Sequence, residues 1–211
     1  MRNIAKGPAP LSLLQHRRAA HAGYDNYADK QSLRDSLVAE QRGICCFCMS
    51  RIDADPAHLK VAHWHSQSRH PEEQLDYGNL LGACLGGAGA ARSMQHCDTR
   101  QGDADLSRNP ANRAHDVESW VRFEGDGTIS SSDPVFDREL NEVLNLNIAW
   151  LKANRAAMLA AFKTMLDKRG HLGPEAWKQM LRDWNGESDA GPLRPFCQVV
   201  IYWLRKRLAR E

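Results

Sequence analysis

The sequence predicts an α+β protein, mostly helical, in which a small metal-knuckle lobe is inserted in, or packed against, a helical body. Three observations carry that class. A C-x2-C pair, Cys45 and Cys48, sits in a tight knuckle between a helical stretch and two short β-prone runs, the end of "ICCFCMSRI" and "HLKVAHW". A further pair of β-prone runs flanks the turn in "VESWVRFEGDGTIS", a hairpin signature. From about residue 136 onward the period turns helical, with Leu144, Ile148, Leu151, Met158, Phe162 and Met165 recurring at spacings of three, four and seven. At 211 residues and 42% hydrophobic content the chain can bury one core with a small metal-stabilised lobe, but hardly two large independent domains.

Taken in order, residues 1–28 mix Pro, Gly, Ala, His and Arg without periodicity and read as a loosely ordered arm that lies over the domain or reaches a partner. "DKQSLRDSLVAEQRG" follows as a helix, with Asp29 or Ser32 as its cap, Leu33, Leu37 and Val38 as its apolar stripe, and Gly43 as its stop. It delivers the chain to the knuckle and a short strand. "HLKVAHW" is a second strand, and "EEQLDYGNLLGAC" a loop entering a brief helical or extended segment, with Leu75, Leu80 and Leu81 as core candidates. The Gly/Ala-rich "LGGAGAARS" is the one expected insertion. Gly170, Gly173 and Pro174 break the long helix, "PEAWKQMLRDW" forms another, and Pro192 and Pro195 precede a last one burying Phe196, Val199, Val200, Trp203 and Leu204. The expected organisation is an arm over 1–28, a knuckle region over 29–115, and a hairpin and helical region over 116–211 in the same globular unit.

A formal charge of +2 and a pI near 8.2 leave the whole-molecule field neutral on the question of a nucleic-acid partner. The basic clusters "HRRAAH", "QSRH" and "LRKRLAR" read as solvated faces. No apolar run approaches the roughly 20 residues that span a bilayer, and the N-terminus lacks a signal peptide's apolar core, so a cytoplasmic location is expected.

Without a secretion signal, six cysteines point to metal binding or plain burial rather than disulfides. Cys45 and Cys48 have the spacing at which two thiolates in one turn meet a single tetrahedral ion. Cys84 and Cys97 can supply the other pair, the Gly/Ala-rich excursion closing the twelve-residue gap between them. The expectation is a structural Zn2+ site on these four, with buried free thiols as the alternative. Cys46 and Cys197 are expected to be bystanders.

His63 stands at the end of a strand, Asn79 on the following loop and Asp98 at the start of a helix, with the cysteines bracketing them. Singly, these are a half-buried strand histidine, a turn-closing asparagine and a helix cap. In this order they have the plan of the HNH, or ββα-metal, motif. The chain resembles a narrower family, the HNH nuclease subunits of Septu-type and retron-associated anti-phage systems, through "EQRGICCFCMSRI", "VAHWHSQS", "LDYGNLLGAC", "HCDTRQGD" followed by "NP", "DGTI" and "LNLNIAWLKANRAAM", with "VVIYWLRKRL" at the end. The resemblance implies a zinc-supported ββα-metal lobe on a helical body and a metal-dependent endonuclease acting on DNA or RNA in a bacterial defence system, beside an ATPase subunit. It makes His63 the general base and Asn79 the residue that holds its imidazole. It also implies a catalytic Mg2+ or Mn2+ on position 62 and Asp98, and substrate contacts from His65, Arg69 and Gln101.

Two positions depart from the family. Ala62 stands where an acidic metal ligand is usual, and Gln101 where a lysine is frequent. His65, His96 and His58 are the candidates to replace the missing ligand; otherwise His65, His70 and His96 read as polar residues near an active face. Ala62 is also the best argument for a rival of another class, a catalytically dead zinc-binding scaffold that binds nucleic acid or the ATPase without cutting. A redox protein built on C-x2-C lacks the surrounding βαβ pattern.

Overall fold

A computed structural model of the chain describes residues 1–210. It is a mixed α+β protein with two small antiparallel sheets. The N-terminal segment lies over the domain instead of trailing from it. It carries α1 (Leu11–His16), buries Met1, Ile4, Leu13 and Tyr27, and donates the Ile4 N–H to the Pro110 carbonyl. Its apolar residues are too few and irregular to show a period, which is why the sequence reads as an arm.

The Asp29 carboxylate caps α2 (Lys30–Gln41) by accepting the Ser32 N–H at 3.1 Å. The helix ends on Arg42 and Gly43, both left-handed, at φ 52 and φ 72. The knuckle folds back at once: Cys45 N–H reaches the Ser50 carbonyl, and Met49, at φ 67, returns its N–H to the Cys45 carbonyl. That reversal uses up the residues expected to form a strand, and only a bridge between Ile44 and Arg51 remains.

β1 (Lys60–His63) pairs antiparallel with β2 (Leu80–Ala83), Lys60 opposite Ala83 and His63 opposite Leu80. The α3 helix (Cys97–Gln101) packs against β1. The outer edge of β2 is closed by side chains and by the Cys46 N–H of the knuckle, which donates to the Gly82 carbonyl. Buried Gln41 accepts the Gly82 N–H and donates to the Gly82 carbonyl, Lys6 Nζ donates to the Leu80 carbonyl, and the Cys84 N–H points at Cys45 Sγ.

Short helix α4 (Val117–Trp120) leads into the hairpin of β3 (Val121–Phe123) and β4 (Ile129–Ser131). Helix α5 (Pro134–Arg138) continues through a wide π-type turn, Glu139–Val143, to α6 (Ala149–Asp167). Helices α7 (Pro174–Asn185) and α8 (Cys197–Leu208) close the body, with α8 packed on α6, α7 and β3.

The buried stripe of α6 is Leu151, Arg155, Leu159 and Phe162, with Met158 and Met165 half-buried beside it. Arg155, 2% exposed, donates to the carbonyls of Gly127 and Leu146 and to Asn147 Oδ1, so its charge is spent on the hairpin turn and the approach to α6. Burial, opposed by surrounding negative charge, lowers its pKa to about 10.

One apolar cluster runs from Phe47, Ala62 and Leu81 to Phe136, Phe162 and Leu204, so the knuckle region and the helical body share a core. Among the described residues no helix is long and apolar enough to cross a membrane.

Candidate metal centre and the polar face beside it

Cys45 and Cys48 come from the knuckle, Cys84 from the end of β2, and Cys97 from the first position of α3. Three of these thiols are buried and Cys84 is half-buried. Their sulfurs lie within 4.8 Å of one another, with Cys45 to Cys97 at 3.9 Å and Cys48 to Cys84 at 3.7 Å. A tetrahedral ion with metal–sulfur bonds near 2.3 Å separates its ligands by about 3.8 Å. Four cysteines so arranged can hold a metal ion such as zinc.

As bare thiols the four are strongly unequal. Burial opposes ionisation of Cys45, yet the thiols of Cys46, Cys48, Cys84 and Cys97 converge on it and hold it well below the usual range. Burial and the neighbouring Cys45 push Cys97 up, and hydrogen bonding to Cys45 and Cys48 raises Cys84. Loading a cation therefore releases protons, and affinity falls in acid. With Nδ1 protonated, buried His96 donates to the Cys97 sulfur at 3.1 Å and braces this centre. Cys46 and Cys197 are buried outside the cluster.

His63, half-buried, meets the Gln74 carbonyl through Nε2 at 3.0 Å. A carbonyl only accepts, so Nε2 carries the proton and Nδ1 is the basic nitrogen. The Tyr24 ring stands edge-on to the imidazole, 4.7 Å between centroids. Burial lowers the His63 pKa, while the Gln74 carbonyl and the charges of Asp98 and Asp25 push it back up.

Asn79 acts on backbone rather than on that imidazole. Its Oδ1 accepts the His65 N–H at 2.8 Å, and its Nδ2 donates to the carbonyls of His65 and Glu73 at 3.1 and 3.2 Å. It pins residues 65 and 73 within the loop joining β1 to β2, and the next carbonyl, Gln74, orients His63.

The Asp98 carboxylate is paired with Lys60 Nζ at 3.0 Å. The Ala62 methyl is fully buried in the main core. Gln101, expected to face substrate, is buried at 3% exposure; its Nε2 donates to the Trp64 and Ala104 carbonyls and its Oε1 has no partner. One turn into α3, its side chain points under the sheet. Arg69 is exposed, 3.7 Å from the Asp105 carboxylate.

His65 contacts the Glu73 carboxylate through Nδ1 at 2.7 Å and is stacked between Trp64 and His70. His65, His70 and Glu73 form a group that the sequence does not single out, because its members meet only through the fold of their loop. His58 pairs with Asp53 on the surface, at 2.9 Å.

No family model matches the chain, and no curated protein matches it. Its chemistry rests on these residues.

Proposed function

We propose that the chain is an HNH-type endonuclease subunit of a bacterial anti-phage system, hydrolysing phosphodiester bonds in DNA or RNA beside an ATPase partner, with a structural Zn2+ on Cys45, Cys48, Cys84 and Cys97. The observation that carries the reading is His63. It ends β1 with Nε2 committed to a backbone carbonyl and Nδ1 basic, and burial keeps it neutral at pH 7, the state a general base needs to take a proton from an attacking water. The soft four-thiolate set and its spacing fit Zn2+.

The residues fit a catalytic Mg2+ or Mn2+ poorly. Such ions need several oxygen ligands, but Ala62 offers none and the Asp98 carboxylate already neutralises Lys60. His65, Arg69 and the loop that carries them are the groups left to meet a phosphate.

The same two features favour a second reading, a zinc-binding scaffold that holds nucleic acid or the ATPase without cutting. The two separate in an assay of the chain, Ala62→Glu and His63→Ala, each with and without the partner, over DNA and RNA substrates with Mg2+ or Mn2+. Strand alternation puts residue 62 on the face of β1 that carries Lys60, the residue paired with Asp98. Cutting lost in His63→Ala and raised in Ala62→Glu supports the nuclease. Inertness of all three while zinc is bound supports the scaffold.

A further inference from the structure

We infer that His65, His70 and Glu73 form a second metal site, one for a borderline transition cation such as Zn2+ or Ni2+. One ring nitrogen from each histidine and one carboxylate oxygen lie within 4.8 Å of one another. A tetrahedral centre with bonds near 2.1 Å sets its ligands about 3.4 Å apart, so modest side-chain rotation brings these three into range. Two imidazoles and a carboxylate suit zinc or nickel over magnesium, and three protein ligands leave a position open to water or another donor.

The loop is built to hold them. Asn79 fixes the backbone at residues 65 and 73, which bear two of the three ligands. His70 is tied to residue 66 through its N–H and to residue 73 through its carbonyl. Beyond the ligands, the Asp105 carboxylate lies 3.4 Å from His70 Nε2, the kind of partner that orients a metal-bound imidazole, and Arg69 balances its charge. His65 pairs with Glu73 and His70 lies 3.4 Å from Asp105 and 3.9 Å from Glu72, while the two rings stack with centroids 4.4 Å apart and hold both imidazoles beside the Glu73 carboxylate. The three side chains are 26 to 35% exposed, and His65 and Glu73 line an open depression beside Asn79, so an ion can reach them.

The inference concerns metal occupancy and does not rest on the nuclease reading; a chain that never cuts still loads this site. The test is metal content of the full chain after dialysis against buffered Zn2+. The expected count is two ions per chain, falling to one in His70→Ala and in Glu73→Gln, and staying at two in His58→Ala, which removes only the surface pair with Asp53. One ion in the unmodified chain, or two in both loop variants, overturns the site. Should a variant also lose the cysteine-bound ion, imidazole acylation of the unmodified chain decides. Protection of His65 and His70 by Zn2+ supports the site, and labelling indifferent to Zn2+ overturns it.

Discussion

Replacing Cys97 by alanine removes one quarter of the thiolate cluster and the only ligand contributed by α3. Between Cys48 and Cys84 the chain runs 35 residues, and between Cys84 and Cys97 twelve more, so an ion held by all four would tie together the knuckle, β2 and α3. Structural zinc contributes roughly 10–16 kcal/mol in small peptides at neutral pH, against a whole-domain stability of about 5–15 kcal/mol. Losing the ion therefore removes a large share of the stability, and it leaves two buried thiols and the half-buried Cys84 without their common partner against the main core. Cys46→Ala is the matched control: an equally buried thiol two residues from Cys48, outside the cluster. It should cost about 1 kcal/mol, a fall of about 2–4 °C in Tm for a chain of this size. Thermal unfolding followed by circular dichroism, with metal counted by atomic emission, reads both variants. Cys97→Ala is expected to lose the ion and to melt far below Cys46→Ala. If it retains the ion, or melts within the Cys46→Ala range, the four-cysteine assignment is refuted.

Arg155→Met leaves the Gly127 and Leu146 carbonyls without their buried donor and should cost about 3–5 kcal/mol in urea unfolding; a loss under about 1 kcal/mol would mean that water replaces the guanidinium. Gly127→Ala places a Cβ 2.0 Å from the Lys152 carbonyl oxygen at φ +84, so the hairpin turn must lift off α6, at a cost of at least about 2 kcal/mol. An unchanged urea midpoint would contradict that packing. For His63, burial lowers the folded pKa, so on acidification the unfolded chain takes up this proton first. The associated stability is complete above the unfolded value near 6.5 and drains as pH falls toward the lowered folded value. An NMR titration midpoint above 6.5 would reverse that sign. Asn79→Ala removes three hydrogen bonds from a buried amide and should cost about 2–3 kcal/mol, with faster amide exchange over residues 65–74; unchanged exchange there would remove Asn79 as the loop's clamp.

What the sequence made legible was local. The Asp29 cap, the Gly43 stop, the hairpin around Gly127 and the cysteine spacings depend on neighbours a few residues apart, or on a donor type too specific to mistake. What it concealed depends on partners distant in the chain. The burial of Arg155 is not legible in the sequence, because the carbonyls that receive it belong to the Gly127 turn and Leu146. Gln101 reads as a substitute for a phosphate-facing lysine, yet its direction is set by how α3 sits beneath Trp64. Asn79 is picked out correctly as a special residue, but its partners are backbone atoms, and backbone leaves no trace in residue identity. The His65, His70 and Glu73 group combines both cases: the residue types are visible, and their convergence is not.

The closure of the β2 edge bears on how the protein behaves in company. A two-stranded sheet offers two open flanks, and an open flank recruits a strand from another chain. Here the flank beyond β2 is already taken, at Leu80 by a lysine ammonium, at Gly82 by a glutamine amide and the Cys46 N–H, and at Cys84 by a sulfur of the cysteine cluster. Side chains, with one backbone N–H from Cys46, thus do the work of a third strand. Gly82 is the residue that permits it, since a Cβ there would stand 3.2 Å from the Gln41 amide nitrogen. Self-association by strand addition at β2 is blocked at Leu80 and Gly82 by Lys6 and Gln41, and opening of the cysteine cluster would expose the margin at Cys84 alone.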